Sequence, residues 1–137
     1  MRIAACCVAL AVLALPTLAH ADPCEGDLPA RAGQNFSGAV RCVGDGDSLC
    51  IGPSSDPNTW IEVRLADFNA PELNSQGGRA AKAALERVAM DRQAQCTAGG
   101  GRSSRVVSYD RVIAVCRIGG RRIGDLLREA GVEEGGR

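Results

Sequence analysis

The chain has 137 residues, 45% of them hydrophobic, and its 16 Lys and Arg are matched by 16 Asp and Glu. That length supports one hydrophobic core and excludes two, while a formal net charge of zero excludes capture of a charged partner by net charge alone. Four aromatic residues, Phe36, Trp60, Phe68 and Tyr109, are too few for a high-affinity single-strand binder that depends on base stacking.

Met1 to Ala21 opens with Arg2, continues with an apolar run from Ile3 to Leu15 and closes on Ala19-His20-Ala21, the small-x-small form that signal peptidase cuts. The run is shorter than a bilayer span and polar chain follows it, so 1–21 reads as a cleaved secretory signal. No lipobox precedes Cys24, because Ala21-Asp22-Pro23 lacks the small residue such a site needs beside its cysteine. The expectation is an exported, soluble domain beginning at Asp22, periplasmic or secreted, with no membrane partner after cleavage. Loss of Arg2, Cys6 and Cys7 leaves the acids one ahead of the bases, and leaves Cys24, Cys42, Cys50, Cys96 and Cys116. In an exported chain these favour disulfides over metal ligation, and none of their spacings is a CxxC zinc pattern. Five is odd, so one thiol is left over unless it pairs between molecules.

Residues 22–35, with Pro23, Gly26, Pro29 and Gly33, read as an irregular entry segment. Phe36 to Val43 reads as a strand, and Gly44-Asp45-Gly46-Asp47 as a hairpin turn because Asp-Gly tolerates positive φ; Ser48 to Ile51 returns antiparallel. After a loop over Gly52 to Asn58, Trp60 to Leu65 alternates, Ile61, Val63 and Leu65 facing one way and Trp60, Glu62 and Arg64 the other. Pro71 ends the strand region. Gly77-Gly78 precede a helix over Arg79 to Ala94, whose apolar stripe is Ala81, Ala84, Leu85, Val88 and Ala89. Gln95 to Ala98 is a short fourth strand, Gly99 to Ser104 a flexible loop and Val112 to Ile118 a fifth strand. Gly119-Gly120 then turns the chain into a helix from Ile123 to Ala130, stopped by Gly131. Five strands with a helix after the third fit a β-rich α+β fold, a five-stranded OB-type Greek-key barrel with about two helices over 36–132, followed by a short tail over 133–137. Cys96 and Cys116, on strands either side of the Gly-rich loop, are placed to form a disulfide. Cys42 and Cys50 flank the Asp45-Gly46 turn in cross-strand register, and Cys24 is an alternative partner for Cys50.

Charge is unevenly placed along this order. Between Gly101 and Arg128, Arg102, Arg105, Arg111, Arg117, Arg121, Arg122 and Arg128 stand against Asp110 and Asp125, whereas Asp22 to Asp47 is acid-rich. A neutral protein built this way can hold both a polyanion and a hard cation, since local potential governs capture. Ordinary solvated faces would give the same counts.

The order Asp45-Gly46-Asp47-Ser48, then Arg64-Leu65 with Ala70-Pro71-Glu72, an Ala/Leu-rich helix, Tyr109 with Arg111 and Ala114, and a short helix ending Ala130-Gly131-Val132, resembles the staphylococcal nuclease (thermonuclease) family over Phe36 to Val132. The resemblance implies a calcium-dependent phosphodiester hydrolase acting on DNA or RNA with little sequence preference and leaving 3′-phosphate ends, as a monomer. It implies Arg64 and Arg111 as the two guanidiniums on the phosphate, Glu72 as the residue that orients or deprotonates the attacking water, and Tyr109 as a hydrogen-bond donor to a substrate phosphate. Asp47, Asn69 and the carbonyl of Ala70 would line the Ca2+, with Asp45 in support. These residue types suit the chemistry: a planar fork matches phosphate oxygens, a carboxylate takes the water's proton, and calcium collects hard oxygens.

Four departures stand beside the match. The family usually has aspartate where this chain has Asn69, which removes a formal charge and weakens metal binding. Asp110 stands where glycine is frequent, so the turn before Arg111 needs a non-glycine residue in the left-handed region. Ser48 replaces threonine and keeps the hydroxyl, and the chain stops soon after its second helix. Two other readings compete with the enzyme: a non-catalytic nucleic-acid-binding OB module with a decayed metal site, and a partner-binding domain whose carboxylates merely form turns.

Overall fold

Strand β1 (Asn35–Asp45) is long enough to serve two neighbours, pairing antiparallel with β2 (Ser48–Gly52) along one edge and with β4 (Gln93–Ala98) along the other. β3 (Ile61–Leu65) adds antiparallel to β2, and β6 (Arg111–Ile118) adds antiparallel to β4. Parallel pairing of β3 with β6, from Val63↔Val112 to Leu65↔Ala114, closes the ring. The fold in this computed structural model, which describes residues 23–135, is thus a closed five-stranded OB-like barrel in a β-rich α+β class. Two helices complete it, α1 (Gly78–Ala89) and α2 (Ile123–Glu129). Short hairpin strands β5 (Val107–Ser108) and β7 (Arg121–Arg122) flank β6. The expected signal over 1–21, with Cys6 and Cys7, lies outside the described residues.

Alternation decides what each strand buries. Val112, Ala114, Cys116 and Ile118 of β6 point into the core while Arg111, Ile113, Val115 and Arg117 point out. Val63 and Leu65 face inward and Arg64 does not, as their spacing requires. α1 lays Ala81, Ala84, Leu85 and Ala89 on the barrel and α2 adds Ile123 and Leu127. Each fully buried Leu or Ile of this set contributes about 1.5–3 kcal/mol.

Three local expectations are corrected. α1 stops at Ala89 rather than Ala94, because Met90 is already extended and Asp91 takes a positive φ of 62°; β4 therefore starts at Gln93, with Ala94 buried as a strand residue. The turn between β1 and β2 uses no positive φ. Gly46 is needed there for space, since a β-carbon would meet those of Ala70 and Ala81 at 2.6 Å. In the unforeseen β5–β6 hairpin the left-handed residue is Tyr109, with φ 58°, rather than Asp110.

Cys96 and Cys116 are directly opposed on β4 and β6 and form the expected disulfide. The second joins Cys24 to Cys50 and, with Gly26 N–H donating to the Trp60 carbonyl at 2.8 Å, fastens the entry segment to the barrel. Cys42 stands opposite Cys50 in register but belongs to neither disulfide. Two disulfides fit an oxidising compartment. No helix among the described residues is long and apolar enough to cross a membrane.

Candidate functional site

The β1–β2 turn, the end of β3 and the segment that follows it meet at one end of the barrel. Asp45 Oδ1 accepts hydrogen bonds from Asp47 N–H at 3.1 Å and from the Ser48 hydroxyl at 2.8 Å. Burial alone would raise the Asp45 carboxyl, but these bonds, together with the charge of Arg111, carry it below its usual value. Asp47 sits deeper, 6% exposed, and its Oδ2 accepts from Ala70 N–H at 2.7 Å. Burial pushes its pKa up to about 6; the opposing charge of Arg64 does not offset this, and neighbouring Asp45 adds to it.

Arg64 is turned onto its own loop. Its Nη1 donates to the carbonyls of Leu65 and Phe68, the latter at 2.7 Å. Its Nη2 donates to Asn69 Oδ1 at 2.8 Å and pairs with Asp47 Oδ2 at 3.2 Å. A guanidinium has four terminal N–H groups; here protein oxygens accept hydrogen bonds from three of them, and Asp47 pairs with Nη2 by charge. The fork does not present itself outward; a phosphate would have to exchange for these partners. Nη2 lies between the Asp47 and Asn69 oxygens expected to line a cation.

The tail over 133–137 carries contacts that sequence reasoning missed. Glu134 Oε1 accepts from Asn69 N–H at 3.0 Å, Asn69 Nδ2 donates to the Gly135 carbonyl at 2.9 Å, and Gly135 N–H donates to the Asn69 carbonyl at 2.8 Å. A β-carbon at Gly135 would lie 3.1 Å from the Ala70 carbonyl oxygen, so the tail backbone runs directly against that carbonyl. Arg128 braces the arrangement, donating to the Asp67 carbonyl at 2.6 Å, pairing with Glu134 at 3.4 Å, and standing over the Phe68 ring at 5.4 Å. Asp67 itself has both carboxylate oxygens buried without a hydrogen-bond partner, and burial raises its pKa.

Of the residues singled out from sequence, Asp45, Asp47, Arg64, Asn69 and Ala70 are in mutual contact, and Arg111 acts on Asp45 through its charge. Glu72 is exposed and lines a groove of about 860 Å³ between α1 and the tail, with Asn69 and Pro71. Its carbonyl accepts from Ser75 N–H and hydroxyl, which shapes the loop into α1. Tyr109 is 92% exposed at the hairpin tip. No sequence signal marked Glu134 or Gly135, whose shared partner Asn69 lies more than sixty positions away.

The donors offered by Asp47, Asn69 and Ala70 are hard oxygens of the kind calcium collects. They fit such an ion only once Arg64 Nη2 leaves the point between Asp47 and Asn69 and the tail backbone clears the Ala70 carbonyl. Among the described residues no group of three or more His, Cys, Asp or Glu gathers as a metal cluster. No protein-family model matches the chain, and no curated protein matches it.

Proposed function

We propose that the protein is an exported, calcium-dependent phosphodiester hydrolase acting on DNA or RNA with little sequence preference. The observation that carries this reading is the meeting of Arg64 and Arg111 with half-buried Asp45 and buried Asp47 at one barrel end. Neighbouring positive and negative groups are what an anionic ester and a hard cation require together. Asp47, Asn69 and Ala70 would hold the calcium ion, which when bound supplies positive charge beside the phosphate. Arg64, exchanging its carbonyl partners for phosphate oxygens, and Arg111 orient the phosphate and oppose the charge that grows on it. Glu72 takes the proton of the attacking water.

The test is a cleavage assay on single-stranded and duplex DNA and on RNA, first with calcium and then with chelator. Glu72→Gln is expected to bind substrate normally and cut roughly a hundredfold more slowly, the scale of a lost general base. Near-wild-type turnover by that variant, free of contaminating nuclease, would end the assignment of Glu72.

A second reading is favoured by the engagement of Arg64. With three terminal N–H groups hydrogen-bonded, Asp47 paired with Nη2 and Asn69 clasped by the tail, the site suits a non-catalytic nucleic-acid-binding module. Salt-sensitive oligonucleotide binding without cleavage under any cation would establish it.

A further inference from the structure

A second basic feature lies on the β6–β7 hairpin and shares Arg128 with the brace beside Asn69. Gly119 and Gly120, both at positive φ (56° and 78°), make a two-residue turn that folds β7 back on β6. The turn sets Arg117 directly opposite Arg122. On its other side Arg117 faces Gln95 of β4, so neither cross-strand neighbour of this arginine is acidic. Both arginines are exposed, and they border a groove of about 470 Å³ whose wall also includes Arg121 and Arg128. Those two are compensated within the protein, Arg121 by Glu129 and Arg128 by Asp125 and Glu134. Arg117 and Arg122 form no ion pair among the described residues: Arg117 donates to the Gly120 carbonyl at 3.4 Å, and Arg122 influences Asp67 through its charge alone.

Like charges placed directly opposite on an antiparallel pair are destabilising, and a local rule broken by two exposed arginines that form no ion pair points to a ligand. Two arginines at paired positions that border one groove present donors that match phosphate oxygens. We infer that Arg117 and Arg122 form a clamp for a backbone phosphate of a polynucleotide, outside the cleavage centre. The clamp rests on the proposed action on nucleic acid and extends it to substrate length. Arg111 and Arg117 share the outward face of β6, six positions and ~20 Å apart at strand rise. Since a single strand can stretch beyond the duplex rise of about 3.4 Å per phosphate, about six nucleotides or fewer are enough to reach both. Long polymers are therefore engaged at two places and dinucleotides at one.

The experiment compares wild-type protein with Arg117→Gln/Arg122→Gln, both checked for cooperative thermal unfolding, the variant being at least as stable as the wild type. Binding of a fluorescent single-stranded 12-mer is titrated over a salt series in chelator, alongside calcium-supported cleavage of a dinucleotide and of the 12-mer. The variant is expected to lose about 0.7 from the slope of log affinity against log salt for each phosphate released, with the 12-mer's KM raised and dinucleotide cleavage unchanged. An unchanged slope, or dinucleotide cleavage reduced as much as that of the 12-mer, would overturn the clamp. Inorganic phosphate is titrated as a competitor: displacement of the 12-mer at equal concentration would mean a site for small phosphates and would also overturn it. If wild-type protein cleaves nothing, the hydrolase reading fails while the salt slope still decides the clamp.

Discussion

Replacing Asp47 by Asn tests whether burial or its arginine partner governs this carboxylate. The folded-state pKa is raised from 3.8 to about 6, roughly two units, which corresponds to ~3 kcal/mol between the two protonation states. Because the folded state holds the proton more tightly than the unfolded chain, stability is greatest below the unfolded value and falls as pH climbs to about 6. Above that the loss is complete. Asn keeps an oxygen for the Ala70 N–H bond and has no proton to lose. Urea unfolding in chelator at about pH 4 and pH 7 should therefore show the wild type losing on the order of 2–3 kcal/mol more than the variant over that interval. Asp67, raised by burial, pulls the same way in both proteins and drops out of the difference, whereas Asp45, lowered in part by its bonds to Asp47, pulls the opposite way and cancels only in part. Parallel profiles would refute the reasoning and mean that Arg64 keeps Asp47 ionised throughout. If the difference appears, calcium must displace a proton from Asp47 at low pH, and its affinity should weaken as pH falls below about 6.

Two further outcomes are expected. Asn69→Asp adds a carboxylate beside Asp47, removes the amide that donates to Gly135 and sets like charge against Glu134; calcium affinity by calorimetry should rise, and hydrogen exchange at the Gly135 amide should quicken. If neither moves, Asn69 is outside any metal shell and the binding-module reading gains. Replacing Cys96 and Cys116 by Ser opens a link between residues 20 apart, which should cost about 3 kcal/mol in urea unfolding under oxidising conditions; a loss below about 1 kcal/mol would mean that the unfolded chain gains little freedom from the cut.

The barrel was legible in sequence because each half-buried strand alternates: Val63 and Leu65 inward with Arg64 turned away, and Val112 to Ile118 likewise. The end of α1 was not legible, since Ala94 continues an alanine-rich run and only the backbone reversal at Asp91 reassigns it to β4. Gly46 was assigned to the right turn for the wrong physical reason, because crowding by Ala70 and Ala81 is a contact across the fold that no local pattern encodes. Chain order brought Asp45, Asp47, Arg64 and Asn69 to notice together. What their side chains do to one another was hidden, above all the enclosure of Arg64 by carbonyls of its own loop. The clasp of Asn69 by Glu134 and Gly135 joins segments so distant in sequence that an acidic tail gave no sign of it.

The parallel seam between β3 and β6 has a kinetic consequence. It joins Val63 to Val112 across a long stretch of chain, whereas β1–β2 and β6–β7 close through tight turns and Cys96–Cys116 ties β4 to β6 covalently. Loop-closure entropy makes the seam the slower event to complete. Arg64 lies on one side of it and Arg111 on the other, so an intermediate with β3 detached would retain both disulfides and most of the sheet yet hold the two guanidiniums apart. During folding, the chain would thus pass through a covalently stapled stage in which Arg64 and Arg111 are still apart, the two charges being brought together by the closing of the cylinder itself.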